Sequence, residues 1–219
     1  MVDPPIVPLI WAEGIDSPRA TEAMPEFLAN VIEEASRAGE SFVPQEVRTR
    51  VRKMLRFGKY RASGRGKPAS EFLLRAALDS RFPLINGPVD VNNAISLASG
   101  FPGSLFDADL SGSELLLRHG REAEAYVFNT SGQTIDLQDL LLVCRKVESG
   151  WEPCGNPVKD SMMTKIGGKT RDVVAVLYVP ADEPRGSVEE WARRYAQLLE
   201  VHCGAEHVGF AVFSVDRSP

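Results

Sequence analysis

DVVAVLYVPADEPRGSVEEWARRYAQLLEVHCGAEHVGFAVFSV, residues 172–215, reads as strand, helix, strand. VVAVLYV (173–179) and VGFAVFSV (208–215) are rich in β-branched and aromatic residues and are bounded by Asp, Pro and Gly. Between them SVEEWARRYAQLLEVH (187–202) opens with Ser187 and Glu190 in a capping-box arrangement and carries Trp191, Tyr195, Leu198 and Leu199 on one face. That spacing predicts a helix. ELLLRH (114–119), AYVFN (125–129) and LLLVCRKV (140–147) are of the same β-rich class, so the sheet is expected from residue 114 onward.

Upstream the apolar period is helical. Phe27, Leu28, Val31, Ile32 and Ala35 predict a helix over 25–37 that stops at Gly39, and Val47, Val51, Met54 and Leu55 predict another over 45–57. Further helices are expected over 71–78 and, between proline and glycine breaks, over 89–97. IVPLIWA (6–12) suits an edge strand, because Pro8 is tolerated there. Helices first and strands later point to an α+β domain with N-terminal helices and a mainly antiparallel or mixed sheet, rather than a doubly wound repeat.

With 219 residues, 43% of them hydrophobic, the chain has material for a substantial core. The net charge of −5 excludes a generally basic nucleic-acid coater, so a polyanion would have to be met by a local patch. No apolar run is long enough for a membrane span, and the first twenty residues, with Asp3, Glu13 and Asp16, lack a basic n-region, so a cytoplasmic protein is expected. Cys144, Cys154 and Cys203 are widely spaced, which suits reduced thiols. The histidines show no HxxxH or HExxH spacing and there is no CxxC, so neither a metal nor a cofactor is expected. Walker A, Rossmann and GxSxG signatures are also missing.

RTRVRKMLRFGKYRASGRGK (48–67) provides the local patch: nine Lys or Arg and no acid. Its first half belongs to the predicted helix over 45–57, and its second half is a glycine-containing loop. Cations facing the helix C-terminal dipole and an ordinary solvated face explain two or three of these charges. Nine without an acid point to a polyanion. Two polar clusters follow. INGPVDVNN (85–93) sets Asn86, Asp90, Asn92 and Asn93 among apolar residues, and CGNPVKDSMMT (154–164) gathers Asn156, Lys159, Asp160, Ser161 and Thr164. Helix caps and surface turns use the same residue types.

Asn86-Gly-Pro-Val-Asp90-Val-Asn-Asn93, followed by Phe106-Asp107-Ala-Asp109, resembles the N-x-V-D-x-x-N then F-D-x-D pattern of the B3/B4 domain of the phenylalanyl-tRNA synthetase beta subunit. The resemblance continues through Leu117-Arg118, Tyr126-Val-Phe-Asn, the segment around Gly155 and Thr170-Arg171, and is closer still to free-standing B3/B4-domain proteins. It implies one B3/B4-like domain over 1–219, with 58–180 covered by the motifs and 1–57 a helical N-terminal extension. In the synthetase this module hydrolyses the ester of tyrosine wrongly attached to phenylalanine tRNA. A free-standing copy is therefore expected to be a trans-acting aminoacyl-tRNA deacylase.

By this resemblance the family's editing-site glutamate falls near Asp160, and a family histidine is replaced by Ser104. Asp160 is then expected to orient water, Asn156, Ser161 and Thr164 to hold the amino acid or its carbonyl, and Lys159 either to stabilise the oxyanion or to pair with Asp160. Asn86, Asp90, Asn93 and Ser104 are expected to line or brace the substrate cleft. Arg52, Arg56, Lys59, Arg61, Arg65 and Lys67 are expected to follow tRNA phosphates. A noncatalytic RNA-binding module that keeps the fold, and a hydrolase of small esters or amides, remain as alternatives.

Overall fold

Strand β1 (Ile6–Glu13) lies in the middle of the main sheet of the computed structural model, which describes residues 4–16, 18 and 21–214. The chain continues through helices α1 (Glu26–Ala38), α2 (Gln45–Met54), α3 (Ala69–Leu78) and α4 (Gly87–Ser99). After them come β2 (Gly103–Asp107), the short α5 (Ala108–Ser111), β3 (Leu115–His119), β4 (Ala125–Val127), β5 (Thr134–Asp136), β6 (Leu141–Val147) and β7 (Gly150–Gly155). β8 (Val173–Leu177), α6 (Arg185–Cys203) and β9 (His207–Ser214) complete the described chain.

The main sheet has the order β2-β8-β1-β9 and every pairing in it is antiparallel. β1 alternates: Pro8, Ile10 and Ala12 are buried, while Val7, Leu9 and Trp11 are only partly so. α4 and α6 pack against this sheet, with Ile10, Val91, Ile95, Ala175, Leu177, Val188, Tyr195 and Leu199 in the core. α1 and α3 pack in turn on α4 through Val31, Ala35, Leu73, Leu74, Ala77 and Leu97. A second sheet, β3-β6-β7, adds Val143 and Cys154 to the main core, and the β4–β5 hairpin adds Tyr126 to a smaller one. Helices with antiparallel sheets make this an α+β fold. No helix among the described residues is long and apolar enough to cross a membrane.

β1 corrects the expectation of an edge strand. It pairs with β9 along its whole length, but its pairing with β8 runs from Leu9 to Ala12, with one further bridge at Ile6 and Val179. Val7 and Pro8 are skipped on the β8 side, which accommodates a residue that has no N–H to donate. Residues 1–57 are accordingly more than a helical extension, since they supply β1 to the centre of the sheet. α6 begins at Arg185, not at a Ser187 cap: the Ser187 hydroxyl donates to Glu183 from inside the first turn. α2 ends at Met54, so Arg56 and Phe57 lie beyond the helix. All three cysteines are free and buried.

Candidate functional site

The two polar clusters meet. Asn86 ends the approach to α4 as its N-cap, its side-chain oxygen accepting from the Val89 amide at 3.2 Å. Asn92 and Asn93 follow on α4. Facing them is the turn after β7, which is built on Asn156. The side-chain oxygen of this residue accepts from the amides of Val158 (2.7 Å) and Lys159 (2.9 Å), and its Nδ2 donates to the Tyr126 hydroxyl. The Tyr126 hydroxyl in turn donates to the Lys159 carbonyl at 2.7 Å. Between the two walls lies a cleft of about 260 Å³ lined by Asn86, Asn92, Asn93, Asn156, Lys159, Asp160 and Lys165, with Ile85, Val89, Leu105, Val158 and Ile166 as its apolar part.

Asp160 sits where β2 and the turn meet. Its carboxylate accepts from the Leu105 amide at 3.1 Å and the Asn156 amide at 3.3 Å. Gly155 permits this approach: a Cβ there would lie 2.5 Å from the Phe106 ring and 2.8 Å from an Asp160 oxygen. Burial pushes the Asp160 carboxyl above the ordinary carboxylate range, against the pull of Lys165, the Ser104 hydroxyl and the two amides. Lys159 holds its ammonium 3.9 Å from the centre of the Phe128 ring and makes no ion pair with Asp160. Among the described residues no group of three or more His, Cys, Asp or Glu is arranged to hold a metal.

Neither the family models nor the curated proteins searched match this sequence.

Of the residues singled out in the sequence, Asn86, Asn92, Asn93, Asn156, Lys159 and Asp160 line the cleft together. Asp90, Ser104, Ser161 and Thr164 do not line it; all four are buried. Asp90 braces the entry to α4, accepting from the Thr21 hydroxyl and, at 2.9 Å, from the Ile85 amide, and burial raises its pKa. Ser104 shares a 2.9 Å hydrogen bond with the Tyr178 hydroxyl and donates to the Asn156 carbonyl at 3.3 Å. Ser161 caps the short 3-10 turn Met162–Thr164 through the Met163 amide, and Thr164 points back to the Cys154 carbonyl. Lys165 lines the cleft as well. That 3-10 turn folds the chain back and returns a lysine to the cleft beside Asp160, and nothing in the local charge pattern signals it.

The basic stretch divides. Arg48 pairs with Glu40 at 2.9 Å, Arg50 with Asp182 (3.0 Å) and Glu183 (2.7 Å), and Arg52 grips both oxygens of Glu71. Arg56, Lys59, Arg61, Arg65 and Lys67 make no ion pair with any described residue. The loop that bears them is anchored at both ends. Phe57 stacks on His119 at 3.7 Å and the Lys59 amide donates to Asp139 at 2.7 Å, while the Ala69 amide donates to the Pro157 carbonyl at 2.8 Å. Ala69 itself lines the cleft, so the loop runs to its rim.

Proposed function

We propose that this protein is a trans-acting hydrolase that removes an amino acid from a misacylated tRNA. The observation that carries the reading is the continuity of the site: a loop whose cations make no ion pair with any described residue ends at the rim of a cleft that has one carboxylate in its wall. Such a loop suits the phosphates of an acceptor stem, and such a cleft suits an aminoacyl ester.

An aminoacyl ester is already activated, so its hydrolysis needs an oriented water, donors for the carbonyl oxyanion and little more. Asp160 accepts a proton from water as the oxygen attacks the ester carbonyl. The carbonyl oxygen gathers negative charge, which the ammonium of Lys165 or Lys159 offsets. Collapse of the tetrahedral species breaks the bond to the ribose oxygen, which leaves as a hydroxyl by taking the proton back from Asp160, and the carboxylic acid so formed gives its own proton to solvent and departs as the carboxylate. Asn156, with its amide engaged on both sides, positions the turn that presents Asp160. No cofactor enters this scheme.

A noncatalytic tRNA-binding module is the second reading, favoured by the engagement of both Asp160 oxygens with backbone amides. Turnover separates the two. A panel of mischarged tRNAs is incubated with substoichiometric protein and scored for released amino acid. The hydrolase reading expects multiple turnovers on at least one tRNA, with Asp160→Ala slowing release about 100-fold while binding is kept. Release at the buffer rate from every tRNA in the panel overturns it in favour of the binding module. Release that needs no tRNA body indicates a hydrolase of small esters.

A further inference from the structure

The two edges of the main sheet are treated differently by the fold. At β2 all five residues are buried, and the Asp160 carboxylate closes part of the edge by taking the Leu105 amide. β9 pairs with β1 on one side and with nothing on the other: among the described residues, its backbone makes hydrogen bonds only to β1. From His207 to Ser214 it contains no Lys, Arg, Asp, Glu or Pro, the residues that commonly block an edge. Its register against β1 runs without a bulge, so the free edge is a continuous row of donors and acceptors eight residues long.

The side chains of this edge complement one another. Gly209, Ala211 and Phe213 stand opposite Trp11, Leu9 and Val7, hence on the same face of the sheet. The Trp11 ring lies directly over Gly209 and fills the place of a side chain. Phe213 is 57% exposed, and it borders an apolar cavity of about 410 Å³ shared with Val7, Leu9, Leu115 and Val176. We propose that β9 pairs antiparallel with β9 of a second copy of this chain, about a two-fold axis through Ala211. That register sets each Phe213 opposite Gly209 of the other copy, against the Trp11 ring, and each Val212 opposite Phe210. A larger residue meets a smaller one on each face, and the pairing is isologous, so it closes at two copies. The strand brings no formal charge, which lets two chains of net charge −5 meet along it.

Sedimentation velocity across a concentration series tests the pairing, together with hydrogen exchange of the β9 amides. The mass is expected to move from 24.0 kDa toward twice that value, with the amides of β9 that point away from β1 slowing in step. Phe213→Lys is expected to weaken association by about tenfold or more. Its circular dichroism, and its melting at concentrations where both proteins are single chains, should stay unchanged, because Phe213 is exposed in the single chain. A mass of 24.0 kDa at every concentration overturns the proposal and leaves the edge to a strand of another protein. A dimer that forms without protecting the β9 amides, or that survives Phe213→Lys undiminished, overturns it too. The exchange measurement on the unmodified chain decides the matter if the variant does not fold.

Discussion

Arg48, Arg50 and Arg52 on one side, and Arg56 to Lys67 on the other, are continuous in sequence and opposite in circumstance. The first three are answered by acids that lie far along the chain or outside the run: Glu40, Glu71, Asp182 and Glu183. The later cations meet none among the described residues. Charge counted along a sequence therefore overstates what the surface offers. Folding spends the helical arginines on tertiary contacts and leaves the loop cations without an ion pair among the described residues.

The widest test of this division is reversal of the loop. Arg61→Glu, Arg65→Glu and Lys67→Glu together should weaken tRNA binding by about 100-fold or more, and a salt titration of affinity should lose roughly one unit of slope per contact removed. Arg48→Ala should leave that affinity and slope where they are. Equal losses from the two halves would erase the distinction. Arg50→Ala should instead show in denaturant unfolding, as a loss of about 1–2 kcal/mol, because Glu183 stays mostly buried without its ion-pair partner and keeps only the Ser187 hydroxyl.

Glu71→Ala makes the comparison sharper by moving a residue across it. Released from Glu71, Arg52 becomes a free cation, so tRNA affinity should rise about two- to threefold and the salt slope should steepen, at a stability cost of about 1 kcal/mol. The smallest expected effect concerns pH. The proposed hydrolysis requires the ionised form of Asp160, whose pKa is raised, so its rate should fall on acidification at a pH above that of an ordinary carboxylate. Lys165 pulls this pKa down; Lys165→Met should therefore shift the acid limb to higher pH, as read from single-turnover rates, while the loop variants leave the limb in place.

Periodicity made the larger elements legible. The helices α1, α3 and α6 and the strands β6, β8 and β9 fall within a few residues of where their apolar spacing puts them. β2, β5 and β7 escaped. β2 lies in a Pro- and Gly-rich stretch that reads as turns, and β7 includes Pro153 and two glycines, so neither shows a strand period. Their pairing is a tertiary matter, supplied by β8 and β6. In the cleft, residues that line the wall, such as Asn93 and Asp160, are visible in the sequence as polar residues in unusual company. Ser104, Ser161 and Thr164 looked the same in sequence but are consumed below the surface by capping and by hydrogen bonds to carbonyls. Only the three-dimensional partner separates the two groups.

The buried thiols have a practical corollary. Burial raises Cys144 to about 11 and Cys203 to about 12, and Cys154 higher still, so at neutral pH none is a ready thiolate nucleophile. A cysteine introduced in the exposed loop, at Arg61 or Arg65, would be the one that reacts with maleimides. The chain thus comes prepared for single-site attachment of a fluorophore or a photocrosslinker a few residues from the cleft rim, without first removing any native sulfur.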